Sequence, residues 1–206
     1  MNSLLRCLLL LSLVAGCTTF QVATNVETGR NQLLVGKPES ALPYFQQAAD
    51  KDPNYVITRS YLQEGVWTYV GRTLYALGKY QEARQALERA VAQNREDYLA
   101  KLYLGLATVR AGDRQQGLKQ FDAGMTDFYN WLEYIQQKTV YGTYWDPMRE
   151  VRSQIEANRA MIAGNDIDLP RLLASGEWIG YRTEEEIDWV RRDERNYWNG
   201  GHDHRP

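Results

Sequence analysis

Residues 64–97 read EGVWTYVGRTLYALGKYQEARQALERAVAQNRED, and residues 98–131 read YLAKLYLGLATVRAGDRQQGLKQFDAGMTDFYNW. Aligned at an offset of 34, Gly71 falls on Gly105, Gly78 on Gly112, Ala83 on Gly117, Leu87 on Phe121 and Ala90 on Gly124. Glycine at a fixed place ends a first helix with a left-handed residue, and small residues further on let a second helix lie close to it. A period of 34 with this layout predicts a helix–turn–helix repeat. The substitution of Gly117 and Gly124 for alanines costs about 1 kcal/mol each in helix propensity, so it predicts a very close helix neighbour at those two positions.

The layout resembles the tetratricopeptide repeat, in which W-x2-L-G-x2-Y leads to A-x3-F and then a proline. Trp67, Val70, Gly71, Leu74, Tyr80 and Ala83 carry the resemblance in one copy, and Leu104, Gly105, Gly112 and Phe121 in the next. A weaker copy precedes them, with Gly29, Gly36, Ala41, Phe45, Ala48 and Pro53 at the corresponding places. Lys37-Pro38-Glu39-Ser40 starts its second helix and Asp52-Pro53 ends it. The expected fold is therefore all-α: a solenoid of about three such hairpins over residues 22–131. The spacing from Gly36 to Gly78 exceeds 34 by eight residues, and the simplest expectation is a longer first helix in the middle copy, with Tyr61 and Leu62 packing beyond the hairpin.

Beyond residue 131 the repeat fades while helical signals persist. Phe128, Trp131, Leu132 and Ile135 fall on one stripe, and the aromatic run Phe128, Tyr129, Trp131, Tyr134, Tyr141, Tyr144 and Trp145 reads as a cap on the last repeat, with a sugar-stacking or peptide-docking platform as the alternative. Asp146-Pro147 predicts a helix over about 147–163. Thr183-Glu184-Glu185-Glu186 has the form of a capping box, predicting a short helix near 169–174 and a separate final one over 184–195, with Trp178, Tyr181 and Trp189 docking this tail. Residues 132–198 are thus a helical cap region, and 199–206 a disordered tail.

The amino terminus carries a different signal. Leu8–Val14 is an apolar run too short to span a bilayer, which reads as the core of a secretory signal. Val14-Ala15-Gly16-Cys17 resembles the bacterial lipobox. That resemblance implies removal of residues 1–16, a diacylglyceryl thioether on Cys17, and residues 17–21 as a linker. Two or more acyl chains anchor stably where one does not. Cys7, the only other cysteine, lies in the segment to be removed. Thr18, where aspartate tends to retain a lipoprotein in the inner membrane, implies the outer membrane facing the periplasm if the envelope has one.

Composition limits the function. A hydrophobic content of 44% suffices for a core, and a net charge of −2 with both signs interspersed leaves no basic footprint for nucleic acid. No phosphate loop, nucleophile elbow or H-E-x-x-H is present, so no catalytic residue and no cofactor are assigned. His202-Asp203-His204 lacks a fourth ligand nearby and reads as tail rather than metal site.

In tetratricopeptide arrays the first helices of successive hairpins line a concave groove that binds peptides. Helix spacing puts Arg30, Tyr69, Arg72, Tyr75, Tyr103 and Arg110 toward it, where guanidinium forks and tyrosine rings suit a peptide ligand. The resulting expectation is a lipid-anchored, non-catalytic scaffold or adaptor for a protein or peptide partner. Two other readings stand beside it. One is a structural subunit of an envelope complex, contacting its neighbours through the convex face and carboxyl-terminal helices. The other is a glycan-binding accessory protein of polysaccharide export.

Overall fold

A computed structural model describes residues 19–164 and 166–200, the last two by backbone only. The signal segment, Cys17 and the His202–His204 stretch lie outside the described residues. Helices dominate: α1 (19–34), α2 (Pro38–Lys51), α3 (Val66–Ala76), α4 (Tyr80–Gln93), α5 (Tyr98–Arg110), α6 (Arg114–Lys138), α7 (Glu150–Ala163) and α8 (Leu169–Gly200). The all-α hairpin array is as expected. Its first helix, though, begins by residue 19 where a polar linker was predicted, and buries Val22 and Val26 completely.

One device closes the first helix of each hairpin. Gly36, Gly78 and Gly112 have φ of +71°, +73° and +107°. The amide after each glycine donates five residues back, from Lys37 to Gln32, Lys79 to Leu74 and Asp113 to Thr108. The carbonyls orphaned by the helix end are thereby satisfied. Close helix approach is equally legible in the glycines. A methyl group at Gly71 would stand 2.4 Å from Leu87 Cγ, and one at Gly105 2.4 Å from the Phe121 amide nitrogen. Gly117 and Gly124 lie against the backbone of Val109 and Lys101, the close neighbour their sequence predicted.

Elsewhere the chain departs from expectation. The eight extra residues do not lengthen α3. They form an antiparallel hairpin, β1 (Val56–Arg59) and β2 (Leu62–Gly65), with Arg59 opposite Leu62. The run Val56-Ile57-Thr58 is β-branched and stiff at χ1, which suits a strand better than a helix turn. At the predicted start of α7, Asp146 accepts from the amides of Val151 and Arg152 at 2.9 and 3.1 Å, and the helix begins at Glu150. Pro147 therefore precedes the helix rather than opening it.

The largest difference is α8, a single helix of 32 residues. The Thr183 hydroxyl donates to the Ile179 carbonyl at 2.7 Å inside it, so the apparent capping box is a mid-helix turn. The rings expected to dock the tail face outward: Trp178, Tyr181 and Trp189 are 38%, 49% and 43% exposed. Docking falls instead to Leu172, Leu173, Ile179, Ile187 and Val190, all buried.

Candidate functional site

α1, α3 and α5 are the first helices of their hairpins, and the residues predicted for the concave face do converge there. The face is not open. α8 lies in it, against α5 and α7. Gly176 seats on the Phe121 ring and Leu106, and Gly180 on the Tyr103 ring, where a methyl group would come within 2.6 and 2.4 Å respectively. One turn further, Glu184 enters between two arginines. Positions 176, 180 and 184 share a helix face because each is four residues from the next.

The polar centre is a closed network. Arg30 Nε donates to Glu184 Oε2 at 2.7 Å, Arg30 Nη2 to the Glu184 carbonyl at 2.9 Å, and Arg30 Nη1 to Asp188 at 3.1 Å. Arg72 bonds the other Glu184 oxygen and also Glu64 Oε1, the latter at 3.0 Å. Tyr69 donates to Glu64 Oε2 at 2.7 Å and accepts from Arg59 at 2.7 Å, and Arg59 reaches Glu27 at the edge at 2.5 Å. The Arg72 guanidinium also lies 5.1 Å from the Tyr103 ring centroid. Arg30, Arg72, Glu64 and Glu184 are all at most 5% exposed. Such charges persist out of water only because each is paired.

Burial pushes both carboxyls of this centre toward the protonated form, with opposite outcomes. At Glu64 burial prevails, reinforced by the Glu184 charge, and its pKa rises. At Glu184 burial is overcome by Arg72 and Arg30, which hold it well below the usual range. Glu184 therefore carries the negative charge that the two arginines require. At the rim, Tyr75 donates to Glu177 at 2.6 Å and Arg110 lies 3.4 Å from the same carboxylate.

The open groove expected from the sequence is thus filled by the chain itself. Arg30, Tyr69, Arg72, Tyr75 and Tyr103 are buried beneath or beside α8, and Arg110 alone stays at the exposed rim. Sequence reasoning missed Arg59, Glu64 and Glu184. The Gly176-x3-Gly180-x3-Glu184 spacing was the signal available: two small residues and one carboxylate on a single helix face. Among the described residues no group of three His, Cys, Asp or Glu side chains is placed to hold a metal. No described helix is long and apolar enough to cross a membrane.

A family model described as tetratricopeptide repeat matches residues 71–124, from the middle of α3 to the middle of α6. The hairpin geometry agrees with that match: residues 71–124 are similar to the tetratricopeptide repeat, an all-helical repeat class that commonly mediates protein–protein interaction. No curated protein and no solved structure matches the chain.

Proposed function

We propose that the protein is a non-catalytic adaptor, tethered to a bacterial membrane by lipid on Cys17, that meets its protein partner through the outer face of α8. The tether rests on the Val14–Cys17 resemblance alone. The observation that carries the choice of surface is the filled concave face. An external peptide entering it must first re-expose Leu172, Leu173, Ile179, Ile187 and Val190. At about 1.5–3 kcal/mol per side chain, that is on the order of 10 kcal/mol, more than the roughly 8 kcal/mol a micromolar ligand gains in total. The clamp residues Arg30, Tyr69, Arg72, Tyr75, Tyr103 and Arg110 are accordingly assigned to holding α8. Trp178, Tyr181 and Trp189 then form its outward stripe, the residue types that anchor interfaces.

A crosslinking capture from intact cells tests this, using the wild type, Cys17→Ala and Trp178→Ala/Tyr181→Ala. One dominant protein partner, diminished by the double substitution, is the expected result. Its retention on the double variant and loss on Arg110→Glu would return the contact to the groove rim. A partner lost with Cys17→Ala alone makes the membrane surface part of the encounter. Absence of any protein partner would overturn the adaptor reading.

A further inference from the structure

A cleft of about 640 Å³ lies between the β1–β2 turn, the start of α5 and the distal half of α6. Its walls are two exposed rings. Tyr61, from the turn, is 40% exposed. Tyr134, from α6, is 62% exposed and makes no hydrogen bond or ring contact among the described residues. Its floor is Trp131, packed against Tyr98 with ring centroids 5.4 Å apart. Around the rings stand Lys101, Asp127 and Asn130, with Arg95 and Glu96 at the edge.

Tyr61 is held in place at a cost. Arg59 pairs with Leu62, so Ser60-Tyr61 is a two-residue hairpin loop, and both residues have positive φ, +48° and +76°. This is the loop in which Asn-Gly is favoured, and a bulky residue with positive φ is an outlier. Trp145 locks it: the indole N–H donates to the Ser60 carbonyl at 2.8 Å, and the same ring sits edge-on to Trp131, centroids 5.2 Å apart. One aromatic chain thus connects the floor of the cleft to the turn that presents its wall. Glycine at position 61 would relieve the backbone, and the chain keeps tyrosine. Strain held in this way points to a use for the side chain.

We infer that this cleft is a binding site for a neutral oligosaccharide, with Tyr61 and Tyr134 stacking on pyranose faces. A sugar ring has an apolar C–H face for an aromatic ring and hydroxyls at its edge that both donate and accept. The rim offers both complements: Lys101, Arg95 and the Asn130 amide donate, while Asp127, Glu96 and the Asn130 carbonyl accept. Its charges cancel, and Lys101 already pairs with Asp127 at 2.5 Å, so nothing selects an anionic ligand. A proline-rich peptide also docks on aromatic grooves, but it brings few donors to satisfy the two carboxylates. The residues lining the cleft come from outside α8, and the assignment is independent of the adaptor reading.

The test is titration of the purified full chain, by saturation-transfer NMR and calorimetry, with three neutral trisaccharides at millimolar concentration. They are the β-1,4-linked N-acetylglucosamine trimer, cellotriose and maltotriose. At least one is expected to bind the wild type and Trp178→Ala equally. Tyr134→Ala and Tyr61→Gly should each weaken it by about tenfold or more. Tyr61→Gly should at the same time leave the melting midpoint unchanged or higher, because glycine accepts this φ. That combination separates loss of a site from loss of fold. Failure of all three sugars to bind the wild type would overturn the assignment, as would variants that bind like it. Binding of a proline-rich decapeptide in place of the sugars would overturn it in favour of a peptide groove.

Discussion

Glu184 shows how one carboxylate can fix the position of a helix. Its two oxygens divide between Arg30 and Arg72, and its backbone carbonyl takes a third guanidinium bond. Glu184→Gln keeps the shape and removes the charge, leaving two buried arginines short of a partner. We expect a loss of about 3–5 kcal/mol in urea denaturation. Asp188→Asn, whose carboxylate is 49% exposed, should cost under about 1 kcal/mol. Asp97 offers a second test, read through pH. Burial lifts its carboxyl to about 6, against the Thr68 hydroxyl and the Gly65 and Ala100 amides that favour the charged form. A carboxyl with a raised folded pKa binds its proton more tightly in the native state, so its contribution is largest below the unfolded pKa and declines as pH rises to the folded one. Relative to Asp97→Asn, the wild type should therefore lose about 3 kcal/mol between about pH 4 and 6, because each pH step of one across that window removes roughly 1.4 kcal/mol. A flat difference across that window would mean that the three donors fully offset the burial.

At the scale of elements, the distinction between glycines that meet backbone and glycines that meet side chains becomes measurable. Gly105→Ala drives a methyl group into the Phe121 main chain, which can yield only if α5 and α6 separate. Gly71→Ala meets the Leu87 side chain, which can change rotamer. Both gain about 1 kcal/mol of helix propensity, yet Gly105→Ala should lower the thermal midpoint well beyond Gly71→Ala, since overpacking costs about 1–3 kcal/mol or more. Equal midpoints would show that the α5–α6 spacing is more compliant than its geometry implies. The hairpins were legible because turn glycines and small residues recur at fixed offsets, and that regularity is a direct image of packing distance. The β1–β2 insertion was not, because four-residue strands hold too few residues to establish a period of two. α8 was misread for a physical reason as well. Thr183-Glu184-Glu185-Glu186 satisfies the local chemistry of a helix start, and only the array shows that Glu184 is turned into the concave face instead of toward its own helix end.

For the whole molecule, the central question is whether α8 is a removable ligand of the groove or part of the core. Helix spacing was enough to bring the six residues read as groove-lining to one side of the array. What covers that side depends on contacts between residues far apart in the chain, such as Arg30 with Glu184, 154 positions away, and Arg72 with the same carboxylate, 112 away, which no local pattern encodes. If α8 is core, its inner amides over 172–190 can exchange only when the array itself unfolds. Native-state hydrogen exchange on the full chain should then give these amides the same opening free energy as those of α3 and α5. It should also give them the same sensitivity to denaturant, since one large surface is exposed in a single event. Glu184→Gln should lower all three helices together. If instead α8 exchanges through a cheaper opening while α3 and α5 stay protected, the concave face is intermittently free. Arg30, Arg72 and Tyr103 would then be available to an outside acidic helix, and the partner surface would move from the outer stripe of α8 back into the groove.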